Sequence, residues 1–204
     1  FFGISGLEAF AKDLAFTVLG VFSTIVAILT ASRMLPEEIK QRTLYPLLAR
    51  PISRFDLLMG KLLGSVLVTW MAFWLLGALT ALALAMFHIR FELLMLQYAA
   101  VKMMGLAVIC SISLALSAYM TPSAAATMGF ILAFGSTLIV RSLVLAYDAS
   151  SPAMQFVFKI LNWMVPQYHL FDLGSRASNV GWPTVPMWVV GFLALYALVY
   201  SSAM

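Results

Sequence analysis

The chain has 204 residues, of which 63% are hydrophobic and 10% charged, with a net charge of +4 and a mean hydropathy of +1.01. A soluble domain of this size would carry far more charge on its surface, so a soluble enzyme or binding module is excluded. A transmembrane barrel is excluded too, because it would show alternating segments of about 10 residues rather than long apolar runs. The net charge calls for no nucleic-acid partner; interfacial anchoring and charged loops account for it. Cys110 stands alone, so no disulfide forms within the chain. The chain opens on Phe1 with no basic region before a short apolar core, so no signal peptide reads at its start.

The predicted class is an all-α integral membrane protein with about five spans. Residues 14–32 are uncharged between Asp13 and Arg33 and give a first span over 14–33. A short helix follows over 36–52, and a second span over 56–87 contains an uncharged run from 62 to 87. Between Lys102 and Arg141 lie 38 uncharged residues, enough for two spans. At their centre, Thr121 is a capping residue and Pro122 suits a first helical turn, which divides the run into spans 97–120 and 122–141. The stretch "SSPAMQFVFKILNWMVP" predicts a helix over 151–165, with Gln155, Lys159 and Asn162 on one narrow polar stripe. It is too short to span, and it reads as interfacial or re-entrant on the outer side. Trp163, Tyr168, Trp182 and Trp188 would flank it as belt residues. This helix is either a plain amphipathic connector or part of a substrate path. Residues 184–204 form the last span, and its abrupt end, like the Phe1 start, leads us to expect a fragment of a longer chain.

Six of the twelve Lys and Arg residues crowd into 33–61, while the other six spread over the remaining loops and span ends. The positive-inside rule then puts 33–61 in the cytoplasm of an inner (cytoplasmic) membrane protein. In that segment Pro36 suits a first helical position, with Glu37 and Glu38 in the first turn, where the helix dipole favours acids. Ile39, Leu44, Leu47 and Leu48 make an imperfect apolar face, and Arg50–Pro51 ends the helix. Ser53 and Asp56 have the form of a capping box, so a new helix should start near Arg54 and continue into the second span. A force on the short helix would pass into the bilayer.

The string "EEIKQRTLYPLLARPISRFDLLMGKLLG" resembles the cytoplasmic coupling segment of ABC-2 type transporter permeases, most of all the branch described as permeases of multicopper-enzyme maturation systems. The match rests on Glu38, Arg42–Thr43, Leu47–Leu48, Arg50–Pro51, Ser53–Arg54 and Gly60–Lys61. Lys40 departs from it, standing where relatives often carry a second Glu. Six spans are usual in the family; the first would be absent here.

The resemblance implies that the short helix docks in a cleft of a separate nucleotide-binding ATPase subunit. ATP and Mg would bind on that subunit and no cofactor on this chain, which would itself be no enzyme. The docking residues would be Glu37, Glu38, Arg42, Thr43, Leu47, Arg50, Pro51, Arg54 and Lys61. It further implies two permease copies facing each other, in most cases a homodimer, and allows a periplasmic accessory protein. Gly60–Lys61 is no phosphate loop, because Phe55 stands in the first Gly position and Leu62 where Ser or Thr is required. On charge alone the island would read as a topology signal or anionic-lipid contact; the ordered motif favours docking.

His88 and His169 lie in different segments with no second ligand nearby, so no metal site is expected. The 13 Met residues read as apolar filler. Lys102 snorkels if its span starts near Gln97, the favoured reading, and is intramembrane and a substrate-path candidate if the helix starts at Glu92. Gln155, Lys159 and Asn162 are the other such candidates. Ala124, Ala125, Ala126 and Gly129 mark a close-packing face, in the bundle or at a dimer seam. The favoured function is an ATP-driven permease for export or mechanical transmission; the alternative is a membrane anchor that recruits an enzyme.

Overall fold

A computed structural model describes residues 4–40, 54–87, 93–148, 154–155, 168–171 and 186–203. All regular structure among them is helical: α1 (Ile4–Lys40), α2 (Arg54–Met86), α3 (Leu93–Tyr119), α4 (Pro122–Asp148), a 3-10 turn (Tyr168–Phe171) and α5 (Met187–Ala203). The stretches Glu8–Glu37, Phe55–Met86 and Leu93–Tyr119 are each long and apolar enough to cross a membrane. Helices suit that setting because they satisfy every backbone polar group internally.

Helix α1 differs from expectation at Pro36, the expected start of the short helix 36–52; residues 41–52 of that expected helix lie outside the described residues. Here α1 is a single helix of 37 residues with Pro36 inside it. Pro36 cannot supply the N–H that the carbonyl of Ser32 would otherwise take. The helix tolerates this close to its end, where only a few further residues depend on continuing the ladder. At 1.5 Å per residue α1 is about 55 Å long, well beyond the roughly 30 Å hydrocarbon core. Helix α2 opens at Arg54 with Asp56 in its first turn, on the favourable side of the dipole. Helices α3 and α4 are joined by a tight turn in which the Thr121 carbonyl accepts from Ala125 N at 2.9 Å. Pro122, which has no N–H to lose, occupies the first position of α4.

The bundle is organised around α3, which packs on α1, α2, α4, α5 and the 3-10 turn. In its most apolar stretch 61% of the residues are buried, against 17% for α2, so α2 lies at the periphery. Contacts give the directions. Phe16 packs on Tyr98 with ring centroids 4.8 Å apart, Gly20 faces Lys102, and Ile28 approaches Gly129 beside Ser113. Both numberings rise together, so α1 and α3 run parallel. Helix α2 runs antiparallel to α3: Thr69 Oγ1 meets Cys110 Sγ at 3.4 Å, while Thr80 and Leu84 share a cavity wall with Met95 and Ala99. Leu63, Leu67, Met71, Leu75, Leu79 and Leu82 form an exposed apolar stripe on α2. Such a stripe would be costly in water and is at home in lipid.

The small residues of α4 pack inside the bundle. Ala125 is fully buried, and a Cβ on Gly129 would stand 3.0 Å from Ile28 Cγ2 and 3.1 Å from Ser113 Oγ.

Candidate functional site

Buried charge in an apolar bundle is the natural starting point, since a Lys at the centre of a membrane helix costs about 2.5–3.5 kcal/mol on insertion scales. Lys102 is only 4% exposed. It sits about 13 Å along α3 from Leu93, at 1.5 Å per residue. The favoured snorkelling reading is therefore corrected. Because α3 starts at Leu93 rather than near Gln97, Lys102 is carried two full turns inward and faces a neighbouring helix.

That neighbour is α1 at Gly20. A Cβ on Gly20 would lie 3.2 Å from both Lys102 Nζ and the Tyr98 hydroxyl oxygen, so glycine permits the close approach. Tyr98 and Lys102 are four residues apart and share one face of α3. The Tyr98 hydroxyl donates to the Phe16 carbonyl at 3.0 Å. Ser23 and Thr24 donate to the Gly20 carbonyl at 3.0 Å and 2.8 Å. Thr24 has one hydroxyl hydrogen and spends it there, so the Tyr168 hydroxyl is the donor in their 3.1 Å contact.

Tyr168 belongs to the 3-10 turn and corrects a second expectation. It is 8% exposed, a buried residue of the bundle rather than an interfacial belt residue. Lys102 Nζ lies 5.2 Å from its ring centroid, within cation–π range. The turn reaches this depth because Gly105, near the midpoint of α3, leaves room for it: a Cβ there would come 2.7 Å from Phe171 Cβ and 3.1 Å from Tyr168 Cε2. Phe171 is fully buried and also meets Tyr196 of α5, with centroids 6.0 Å apart. The 3-10 turn thus lies inside the bundle and closes over Lys102. Lys12, 2% exposed, is a second buried cation, two turns from Gly20 on the same face of α1. The cluster can hold a positive charge and several hydroxyls in a dry environment.

Other predicted residues fall elsewhere. Glu37 is exposed near the end of α1, and Lys61 is half-buried on α2. Glu38 lies in the last turn of α1 and Arg54 opens α2, each placed by its backbone. Arg42, Thr43, Leu47, Arg50 and Pro51 lie outside the described residues, as do Lys159 and Asn162; Gln155 is helical and half-buried. Among the described residues no three His, Cys, Asp or Glu side chains come together as metal ligands.

Residue spacing alone missed Gly20, Thr24, Tyr98, Gly105 and Lys12. The Tyr98–Lys102 spacing of four was the available signal, and its partner faces were not.

Comparison with known proteins bears on the whole chain. The model of a family described as ABC-2 family transporter protein matches residues 3–202. No curated protein matches. The helical bundle described above has the apolar lengths such a membrane subunit needs. The chain belongs to the ABC-2 transporter family, and so is a permease subunit of an ATP-binding-cassette transporter rather than its catalytic part.

Proposed function

We propose that this permease converts ATP hydrolysis on a separate nucleotide-binding subunit into movement of its bundle, driving export or mechanical transmission across the cytoplasmic membrane. The observation that supports this most is the continuity of α1. From Gly20, where it packs on Lys102, α1 continues unbroken past Glu37, a run of about 25 Å at 1.5 Å per residue. A push received by the segment around Glu37–Lys61 would reach the buried cluster along a stiff rod. Helix α2, starting at Arg54, supplies a second.

In this reading Glu37, Glu38, Arg42, Thr43, Leu47, Arg50, Pro51, Arg54 and Lys61 dock on the ATPase subunit, which binds ATP and Mg. Lys102 marks the substrate path, with Gln155, Lys159 and Asn162 near its entrance. Two permease copies pair, and the docking segment faces the cytoplasm. The narrower kinship with multicopper-enzyme maturation permeases is supported by the residues of the coupling segment, and a periplasmic accessory protein by the family resemblance alone.

The double variant Glu38→Ala/Arg54→Ala tests this. Exposed charges contribute under about 1 kcal/mol to folding, whereas losing one member of a docked charge pair costs about 2–5 kcal/mol of binding. Membrane levels should stay normal while co-purification with the ATPase subunit, or stimulation of its hydrolysis, is lost. Parental binding and coupling would defeat the docking role; disappearance from the membrane would make the segment a topology signal.

A further inference from the structure

Between α1, α2 and α3 lies a cavity of about 400 Å³, within the roughly 300–1,000 Å³ typical of small-ligand sites. Phe16, Leu19, Phe73, Gly77, Leu84 and Ala99 are among its walls. Three lining side chains carry an N–H or O–H group: Trp74, which is 53% exposed, and Thr80 and Tyr98, both satisfied inside the protein. The Thr80 hydroxyl donates to the Leu76 carbonyl at 2.8 Å, and the Tyr98 hydroxyl donates to the Phe16 carbonyl at 3.0 Å. Apart from the Trp74 indole N–H, the wall is apolar and asks for no polar occupant.

Depth narrows the choice. One end of the cavity is at Leu84 and Met95, each two residues from where α2 ends and α3 begins. The other is at Phe73, about 16 Å deeper along α2 at 1.5 Å per residue. That is the thickness of one leaflet, half of a hydrocarbon core of about 30 Å. The cavity also opens sideways. Its lips, Trp74 (53% exposed) and Leu96 (61% exposed), continue into the apolar surface that α2 turns toward the bilayer.

From this we infer that the α1–α2–α3 cavity is a lipid site that takes one acyl chain from the leaflet at the α2–α3 end. The chain enters laterally between Trp74 and Leu96, passes Tyr98 and ends against Phe73. This rests on membership of a membrane-permease family and not on how the coupling segment acts.

Gly77 offers a clean test, because a Cβ there would meet nothing within 4 Å. Gly77→Phe therefore directs a ring into the cavity from an unobstructed Cβ position, and replacing a helical glycine does not weaken the helix. The permease, isolated intact, is placed in phosphatidylethanolamine–phosphatidylglycerol vesicles. These are doped with a phosphatidylcholine that carries a diazirine midway along one acyl chain. After irradiation, labelled peptides are mapped by mass spectrometry. The parent should take label at Gly77–Ala81 and around Ala99. Gly77→Phe should lose that label while keeping label on the Leu63–Met71 stripe. Gly191→Phe, at a position on α5 equally free of neighbours, should keep both. Ala99→Phe fills the space from the opposite wall and serves if Gly77→Phe does not fold. Cavity label undiminished in a folded filling variant would overturn the proposal. So would efficient cross-linking of a cysteine at Ala78 to a second copy, which would put protein rather than lipid in the opening.

Discussion

The placement of Tyr168 over Lys102 predicts a measurable energetic coupling between residues 66 positions apart in sequence. The ring-to-cation distance of 5.2 Å in a dry site corresponds to about 2 kcal/mol, against about 0.5–1 kcal/mol for an exposed pair. The hydroxyl contact to Thr24 adds about 0.6 kcal/mol, the average for side-chain hydrogen bonds inside membrane bundles. Tyr168→Leu removes both, and the lost ring volume adds a cavity penalty. Tyr168→Phe keeps the ring and should cost only the hydroxyl term. Lys102→Met replaces the cation by an apolar chain of similar length. It should be tolerated well on its own, because an apolar replacement also removes the cost of burying the charge.

The assay is a double-mutant cycle on Lys102→Met and Tyr168→Leu, read by reversible unfolding in mixed detergent–SDS micelles. The expected interaction energy is about 1–2 kcal/mol, with Tyr168→Leu doing less damage when Lys102 is already Met. Additive costs, within the few tenths of a kcal/mol that independent sites show, would refute the reasoning. They would mean that the 3-10 turn does not close over Lys102.

Three further outcomes follow from packing and topology. Substitution of Gly105, Gly129 and Gly77 by Ala should rank in that order of damage in the same unfolding assay. Gly105→Ala meets Phe171 at 2.7 Å and Gly129→Ala meets Ile28 at 3.0 Å, which costs about 1–3 kcal/mol for overpacking. Gly77→Ala enters open space and should stabilise by up to about 1 kcal/mol through helix propensity; any other order contradicts the packing. Cys110 is fully buried and should resist a membrane-permeant maleimide in the folded protein yet react fully in SDS; rapid labelling of folded protein would show that α2 and α3 are not packed at Thr69. With Cys110 silent, a cysteine at Gln41 should be labelled only from the cytoplasm and one at Asn179 only from outside; outside labelling at 41 would reverse the topology.

The class of protein was legible in composition, because 20 or so uncharged residues have few destinations other than a bilayer. The α3–α4 turn was legible as well: Pro122 at a first helical position is local backbone chemistry, and no distant contact is needed to recognise it. The ABC-2 resemblance was carried by ordered residues in the charged segment, and the family match spans residues 3–202. Sequence did not decide whether Pro36 would begin a helix or lie inside one, since proline suits a first turn and is also tolerated near a helix end. Nor did it decide the fate of Lys102. Snorkelling and burial differ only in where α3 starts and in what stands beside it, and Gly20 is 82 residues away. Tyr168 looked interfacial because tyrosine is common at membrane surfaces. Its burial depends on Gly105 opening a space in α3 and on Thr24 offering a hydroxyl from α1. Hydrophobic periodicity reports which segments leave water. In a bundle that is apolar inside and out, it does not report which faces meet, and steric fit between distant glycines and aromatic rings decides that instead.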